Sequence, residues 1–528
     1  MASDQGVGEG RDGRRLSGVD SVFLGLEARS APMHVALTLV LDPGGATAGE
    51  LADDIGRRLG TVPDLRATLA EVPFGLQRPR LEPHAFLDVG AHVRTCRLPA
   101  PGGRRQLEGL VAAEMARPLD RHRPLWEVVV ADGLEHGRVA VVGKVHHALV
   151  DGMAGIETMA ALFGPGGTVA GTPAGPDPDE GGGGTGAFDP EGHSRGARWR
   201  VADDAARLAD AVCAVPDQFG HVARALARTL RSARALSRAN RAVAGELPPS
   251  PFGAPRTSLN GAVSSERVVA LAELPMSEVA RVRHSLGGTV NDVLLAVAAG
   301  GLRGLFEARG EVPEPSLVAM VPVSVRPGSS RRTGGGTPAA EEAPGTSGQA
   351  SGYELGNQLS AVLVSLPTGV EDPVARLRLV KEGQELAKRQ HRVMGEDLLG
   401  MLAEVLVPAV TAPLARVAAD VRAFDHLPPV ANLVVSNVPG PGTELSVGDA
   451  RVVATYPLGP VAHGIGVNVT VLSYGEMLHV GIVGCAELAP DVHLLAAGMR
   501  DDLARLAASA GQRRRPVPWW HRDLVAGA

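Results

Sequence analysis

The chain of 528 residues has only three cysteines and no excess of positive charge. Cys96, Cys213 and Cys485 are widely separated, so they match neither a disulfide framework nor a metal-ligand spacing and suit a reducing cytoplasm. The formal net charge of −6 and the pI near 6.3 argue against a nucleic-acid-binding protein. No uninterrupted apolar run reaches about 18 residues, and the first residues do not resemble a signal peptide. We therefore expect a cytoplasmic protein whose contact with membranes is peripheral.

Two stretches rich in glycine and proline divide the chain, one from residue 164 to about 196 and one from about 327 to 352. Their composition predicts flexible backbone. The length allows two to four domains at about 150 residues each. We predict the following division: an N-terminal α/β domain at 1–163, a connector at 164–254, a second α/β domain at 255–512 with an insertion at 327–352, and a basic tail at 513–528.

The connector contains a candidate basic amphipathic helix between about residues 197 and 246. Its arginines recur at intervals of three or four, opposite an apolar side. These are Arg224, Arg228, Arg231, Arg234, Arg238 and Arg241. Such a helix could lie on an anionic lipid surface, attract a phosphorylated substrate, or form a solvated face over packed apolar residues. In the tail, Trp519 and Trp520 follow a basic cluster, which suits either interfacial anchoring or packing against the tail's own domain.

The most informative segment contains His146, His147, Asp151 and Gly152. Residues 138–145 predict a buried strand and residues 155–163 a helix, so the motif connects the two. Histidine suits general-base chemistry near neutral pH, and a nearby aspartate can fix its surroundings. Adjacent side chains of a strand point to opposite faces, so one histidine should be catalytic and the other structural. Gly152 fits a sharp turn or close ligand approach.

The motif also has a simpler interpretation, in which the histidine pair is a satisfied polar feature at the end of a strand. A zinc site is disfavoured, because adjacent histidines make poor joint ligands and no cysteine or Glu-x-x-His pattern accompanies them. The choice between catalysis and a structural pair therefore depends on the rest of the chain.

A second candidate set opens a long helix predicted from Thr289 to about Phe306. Thr289 and Asp292 have the spacing of a capping box. Capping does not explain Asn291, whose amide at a helix N-terminus could donate toward an active-site oxygen. Further strands are predicted at 266–272, 316–325, 357–366 and 430–436, with a helix at 277–286 and a hairpin formed by 467–472 and 478–483.

With these segments in place, the chain resembles the bacterial wax ester synthase/diacylglycerol acyltransferase family. That family is itself similar to chloramphenicol acetyltransferase, carnitine acyltransferases and condensation domains. The central match is His146-His147-x-x-x-Asp151-Gly152. The matches specific to the family span roughly residues 16 to 500 in the expected order. They are residues 16–20 and 32–34, Pro118-Leu-Asp120, Arg123-Pro-Leu-Trp126-Glu127, Asn291-Asp292, Pro322-Val-Ser-Val-Arg326 and Ser436-Asn-Val-Pro-Gly-Pro441.

The resemblance implies an α/β protein of two chloramphenicol-acetyltransferase-like domains, each a mixed sheet flanked by helices, with the active site at their interface. It implies acyl transfer from acyl-CoA, as co-substrate, to a hydroxyl, with no cofactor or metal. His147 would be the general base, and Asn291 would stabilise the oxyanion or position substrate. Asp151 would orient the loop through an ion pair with Arg326 or a similar arginine. His146, Gly152 and Asp292 would be structural. Substrate-binding residues are not identified.

The sequence leaves the acceptor open. The Ala/Gly/Arg-rich composition suggests a high-GC bacterium that stores triacylglycerol, which favours diacylglycerol over a long-chain alcohol, although one enzyme could use both. A carrier-bound acceptor in natural-product synthesis is a further alternative. A non-catalytic coat of lipid inclusions is another, but it would not need an intact motif. Arg80 and Glu487 depart from the family pattern and bear on the acceptor pocket.

Overall fold

The computed structural model describes residues 14–70, 78–83, 87–150, 152–165, 253–324, 359–394 and 422–512. Several predicted features lie outside these residues. They are the basic amphipathic helix, nearly all of both Gly/Pro-rich stretches, the basic tail, Asp151 and Arg326. Below, the first half means the described residues up to 165, and the second half means those from 253 onward.

The described residues form two six-stranded sheets, a small three-stranded sheet and eight α-helices. The first half contains β1 (Arg14–Arg15), α1 (Gly18–Leu26), β2 (His34–Asp42), α2 (Ala48–Leu59), β3 (Ala67–Ala70), β4 (Arg80–Pro83), β5 (Val93–Arg97), α3 (Arg104–Ala116), β6 (Trp126–Asp132), β7 (Val139–His146) and α4 (Gly152–Phe163). The second half contains β8 (Arg267–Pro275), α5 (Met276–Leu286), α6 (Val290–Arg309), β9 (Leu317–Ser324), β10 (Leu359–Leu366), α7 (Pro373–Met394), β11 (Leu433–Val438), β12 (Ser446–Val447), β13 (Ala450–Leu458), β14 (Val467–Tyr474), β15 (Met477–Cys485) and α8 (Val492–Gln512).

The first sheet has the order β12-β13-β2-β7-β6-β5. Strand β7 is nearly continuous apolar sequence, because both faces of the sheet are covered. Residues of α2 and α4 pack on one face, and residues of α3 pack on the other. Strand β7 is therefore buried between α2 and α4 on one face and α3 on the other, and the histidine motif lies at its C-terminal end.

The second sheet has the order β10-β9-β11-β14-β15-β8. Its core is built around α6, whose residues from Asp292 to Ala299 are all buried, and α8 packs beside it. Among the described residues, no single helix has the length and apolar composition needed to cross a membrane. Only α5 and α6 taken together meet that test, and they are bent by 105° at their break.

Strand β13 belongs to the second half of the chain but pairs with the first sheet. It runs antiparallel to β2, with Tyr456 opposite Thr38 and Leu458 opposite Ala36. It also crosses the second sheet closely: a Cβ on Gly481 of β15 would lie 2.0 Å from the Pro457 carbonyl oxygen. The predicted boundary at residue 255 did not anticipate this exchange, because the partner of a strand is not encoded in its own pattern.

Helix α3 covers the free edge of the second sheet. Arg104 donates to the Leu271 carbonyl at 2.8 Å, and Glu108 accepts from the Leu271 N–H at 2.9 Å. Arg104 and the Tyr456 hydroxyl also bind the Glu273 carboxylate. Burial opposes ionisation of Glu273, but these partners outweigh it and lower its pKa. Side chains of the first half thus satisfy backbone groups that an edge strand would otherwise expose.

Most predicted elements are confirmed, with shifted ends. The capping box of α6 is present, since Thr289 Oγ1 accepts from Asp292 N at 3.2 Å and Asp292 accepts from Thr289 N at 2.7 Å. The β14–β15 hairpin is confirmed. Helix α4 begins at Gly152 rather than Gly155. Ala154 packs in the core beneath this first turn, and such burial outweighs the weak helix propensity of glycine.

Gly481→Ala should destabilise the protein, because the new methyl group meets the backbone of β13 rather than a side chain that could move. We expect the free energy of unfolding to fall by about 1–3 kcal/mol in urea titrations. Gly304→Ala in α6 is the matched control. A Cβ there has open space, so helix propensity should stabilise the protein by about 0.5–1 kcal/mol. Equal stability of the two variants would contradict the close crossing.

Candidate active site

The motif begins where β7 ends, in a turn held by backbone hydrogen bonds. His146 N donates to Leu125 O, His147 N to Met33 O, and Leu149 N to His146 O, each at 2.9 Å. Two other segments, around Met33 and Leu125, and one bond within the turn therefore fix the backbone of the two histidines. The side chains of His146 and His147 lie in different surroundings.

The His146 ring is fully buried and held by polar contacts. Its Nδ1 accepts from the Ala148 N–H at 3.1 Å, so the neutral ring carries its proton on Nε2. Nε2 lies 3.4 Å from Oε1 of Glu27. Both ring nitrogens thus face groups of the protein itself, as a structural histidine requires.

His147 is a partly exposed residue whose ring stacks on Phe23 of α1, with ring centroids 4.0 Å apart and planes 5° from parallel. This stacking fixes the plane of the imidazole. The two histidines thus differ in burial and contacts, and their division into a catalytic and a structural residue stays a prediction.

Glu27, at the C-terminal end of α1, is a hub beneath the motif. Its Oε1 accepts from Met33 N at 3.2 Å, and its Oε2 accepts from Arg121 Nε at 2.8 Å. Arg121 also donates to the Leu24 carbonyl. Burial disfavours the carboxylate, but His146 and Arg121 outweigh it and lower the pKa of Glu27 to about 2. The carboxylate is therefore ionised at neutral pH.

His34 and Lys144 complete the buried polar layer. His34 lies opposite His146 in the β2–β7 register. Burial, together with the positive charge of Lys144, lowers the pKa of His34 to about 3, so this ring is neutral. Lys144 Nζ donates to the carbonyls of Glu114 and Arg117 at the end of α3. This ammonium group stabilises a helix C-terminus and ties α3 to the strand of the motif.

The Pro-Leu-Trp-Glu segment supports the motif from β6. Trp126 is buried, donates to the Leu65 carbonyl at 2.6 Å and stacks on His92. Glu127 lies 3.4 Å from Lys144, and the Leu125 carbonyl receives the His146 N–H. The structure thus gives this segment a packing role, since its side chains contact Leu65, His92 and Lys144.

The motif also meets the Ser-Asn-Val-Pro-Gly-Pro segment of the second half. A Cβ on Gly152 would lie 3.0 Å from Val438 Cγ2, so the close approach expected at this glycine is to β11. In the same segment, Gly440 donates its N–H to Ser473 Oγ at 2.9 Å. A Cβ on Gly440 would lie 1.5 Å from the Ser473 carbonyl oxygen. Gly152 thus allows the two halves to approach each other, and Gly440 allows two backbone segments of the second half to come together.

The segment before β2 extends this junction to His147. Met33, the backbone partner of His147, packs with Ala31, Val263 and Cys485, and Phe23 packs against the same cluster. Arg267 of β8 donates to the Ser30 carbonyl at 2.7 Å. The stacked Phe23–His147 pair therefore lies at the seam of the two halves, where the sequence predicted the active site.

The resemblance also assigned Asn291, Asp151 and Arg326 to the site. Asn291 is partly exposed in the first turn of α6, beside the buried capping residue Asp292, and takes no part in the His147 contacts described above. Asp151 and Arg326 lie outside the described residues, so their ion pair remains a prediction. Of the departures from the family pattern, Glu487 lies on the surface 3.6 Å from Arg422.

Sequence reasoning missed Phe23, Glu27 and Arg121. They lie far from His147 along the chain, so no local pattern joins them to it. The only available signal was their position within or beside family-like segments: Phe23 and Glu27 between residues 16 and 34, and Arg121 between Asp120 and Arg123.

A cavity of about 680 Å³ lies between α3, the start of β8 and the start of α8. Helix α3 contributes small residues to the cavity wall, among them Gly109, Ala112 and Ala116. Arg105 and His493 also line the cavity. None of its lining residues belongs to the histidine motif. It is a second feature of the junction between the halves.

These two sheets, joined by an exchanged strand and carrying the histidine motif at their seam, define a two-domain acyltransferase fold of the chloramphenicol-acetyltransferase type. Residues 16–294 match the wax ester synthase/diacylglycerol acyltransferase catalytic domain, and residues 355–507 match the C-terminal domain of the same family. The chain belongs to the wax ester synthase/diacylglycerol acyltransferase family.

Relatives match over nearly the whole chain. A Mycobacterium tuberculosis protein named "Putative diacyglycerol O-acyltransferase" is 33% identical over 497 residues, covering 93% of this chain and 90% of the relative. Another of the same name and organism is 32% identical over 502 residues, covering 94% of this chain and 97% of the relative.

Solved structures confirm the fold. The wax ester synthase/diacylglycerol acyltransferase from Marinobacter aquaeolei VT8 superposes with a TM-score of 0.62 at 26% identity, covering 94% of this chain and 100% of that one. The first condensation domain of the calcium-dependent antibiotic synthetase superposes with a TM-score of 0.52 at 16% identity, covering 95% of this chain and 97% of that one. The second likeness concerns the fold alone.

The Glu27 carboxylate should make stability depend on pH. Its pKa is lowered from 4.5 to about 2 on folding, so its contribution is fully present above about pH 4.5 and is lost as the pH falls toward 2. We expect Glu27→Gln to lower the free energy of unfolding by up to about 3 kcal/mol near pH 6. The difference from wild type should shrink near pH 3 in urea titrations. A difference that does not change with pH would contradict an ionised, paired Glu27.

Proposed function

We propose that this acyltransferase moves a long-chain fatty acyl group from acyl-CoA to the hydroxyl of diacylglycerol, forming triacylglycerol. The observation that carries the proposal is the position of His147, a partly exposed residue whose ring is fixed by Phe23 at the seam of the two halves, in a chain that matches the family over residues 16–294 and 355–507. A lipid-inclusion coat would not need this constellation. We also propose that the protein works in the cytoplasm in peripheral contact with a membrane or lipid inclusion, because its acceptor is a lipid.

In this mechanism His147 acts as general base. Its imidazole removes the proton of the acceptor hydroxyl as the oxygen attacks the thioester carbonyl, and the thiolate of CoA leaves from the tetrahedral intermediate and takes up a proton. General-base catalysis contributes about 10²- to 10⁴-fold. His146 cannot share this role, because its ring is buried and its nitrogens face Ala148 and Glu27.

The tetrahedral oxyanion needs donors that are in place before the reaction, each worth about 10²- to 10³-fold. We propose Asn291 as such a donor or as a positioning group, because its amide lies in the first turn of α6, where the helix dipole also favours negative charge. Asp292 is already engaged in the capping box. Asp151 would hold the motif loop through Arg326 or a similar arginine. No metal or cofactor has a step in this scheme.

His147→Ala should lower acyl transfer from radiolabelled acyl-CoA by about 10²- to 10⁴-fold while the protein stays folded. His147 is only partly buried, so circular dichroism and the unfolding midpoint should change little. His284→Ala, an exposed histidine on α5, is the matched control and should keep wild-type turnover. Unchanged turnover in His147→Ala would overturn the assigned base. Wild-type protein that binds lipid inclusions without turning over acyl-CoA would favour the coat.

Competition between acceptors tests the choice of diacylglycerol. Purified enzyme is given one acyl-CoA with equal amounts of dioleoylglycerol and hexadecanol, and the labelled products are separated by thin-layer chromatography. We expect triacylglycerol to exceed wax ester. The bases for this expectation are the composition of the chain and its mycobacterial relatives named as diacylglycerol O-acyltransferases. Predominant wax ester would make the enzyme a wax ester synthase by preference.

A further inference from the structure

Glu27 contacts two groups that support His147, the Met33 backbone and the His146 ring, although it is not part of the family motif. One carboxylate oxygen, Oε1, accepts from Met33 N, and the carbonyl of the same Met33 accepts from His147 N. The same oxygen faces His146 Nε2 at 3.4 Å. On one side a single residue, Met33, lies between Glu27 and the backbone of the proposed base, and on the other side the His146 ring lies next to that base in the chain.

Glu27 also fixes the helix that holds the His147 ring. It lies four residues after Phe23, one turn along α1. Arg121 joins the two ends of this turn, because it pairs with Glu27 Oε2 and donates to the Leu24 carbonyl. The position of the Phe23 ring, which sets the plane of the imidazole, thus depends on the same ion pair.

The surroundings of Glu27 explain why a charge is needed there. The groups that face it are His146 from β7, the Met33 N–H from the segment before β2, and Arg121 from the segment before β6. His34 and Lys144 complete the polar layer behind His146. Because Nδ1 of His146 accepts from Ala148, a negative oxygen opposite Nε2 selects the tautomer that this turn requires.

We propose that Glu27 is a positioning residue for the acyl transfer assigned above: its carboxylate holds the turn of the motif and, through α1, the ring that stacks on the base. This inference rests on the proposed role of His147. Glu27 touches neither the His147 ring nor, in the mechanism, the reacting atoms, so it acts only through its neighbours.

The test compares kcat, KM for acyl-CoA and the pH profile of kcat in three variants of the full chain. Glu27→Gln keeps the shape and removes the charge. We expect kcat to fall by about 10- to 100-fold with KM changed by less than about twofold. The acidic limb of the profile should move to lower pH, because losing a nearby negative charge lowers the pKa of the base. A merely structural residue would not move that limb.

Glu27→Asp keeps the charge but is one methylene too short to reach Arg121 and Met33 together. It should lower kcat while leaving the acidic limb at the wild-type pH, and it serves as the test of geometry if Glu27→Gln fails to fold. Asp491→Asn is the matched control. Asp491 is also a carboxylate paired with an arginine, Arg309, between helix ends, and its loss should leave kcat and the acidic limb unchanged.

The outcomes separate this inference from the function on which it rests. If His147→Ala is inactive while Glu27→Gln and Glu27→Asp keep wild-type kcat and profile, the positioning role is wrong and the acyltransferase mechanism stands. If Asp491→Asn reproduces the Glu27→Gln profile, the effect is general destabilisation and the inference also fails. If His147→Ala keeps full activity, the proposed function itself is wrong, whatever the Glu27 variants do.

Discussion

The arrangement of the site depends on the two neighbours of strand β2. On one side β2 pairs with β7, which ends in the histidine motif, and on the other it pairs with β13, which comes from the second half of the chain. The segment that leads into β2 also supplies the Met33 carbonyl to His147. A shift in the register of β2 would therefore move the proposed base and the junction of the halves together. Antiparallel registers resist such shifts, because a slip by one residue turns every buried side chain outward.

The polar groups around β2 are of two kinds. Those beneath the motif are buried and paired: Glu27 with Arg121 and His146, and Lys144 with the carbonyls that end α3. His147 is a partly exposed residue whose ring is held by an apolar ring instead. Burying an ionised carboxylate is costly unless several partners satisfy it, and Glu27 has them. This arrangement keeps the charged groups beneath the motif in fixed positions, and stacking on Phe23 fixes the plane of the His147 imidazole.

Close approaches at glycines occur both at the junction of the halves and within the second half. Gly152 faces Val438, Gly440 faces Ser473, and Gly481 faces Pro457. In each case a side chain on the glycine would separate two elements that come from different parts of the chain. Membership of the wax ester synthase/diacylglycerol acyltransferase family accounts for the fold and for the class of reaction. Within that class, the acceptor and the catalytic steps rest on the proposals made above.

Many elements of the fold and of the motif could be predicted from the sequence, because they depend on local patterns of residues. The strand–motif–helix order around His147, the capping box of Thr289 and Asp292 and the β14–β15 hairpin follow from periodicity and turn chemistry. So does the prediction that the two histidines differ, since neighbours on a strand face opposite ways. The family resemblance added the pairing of two similar domains.

Only the tertiary structure decided what lies around the motif. Phe23 and Glu27 reach the histidines across about 120 residues of chain, Arg121 reaches Glu27 across 94 residues, and β13 crosses to the first sheet from the other half. Such contacts leave no signature in a local window, because the residue types involved are ordinary at their own positions and acquire their role only from what folding brings beside them. The sequence, through its family resemblance, determined which residue is proposed as the base, and the folded chain determined what holds that residue.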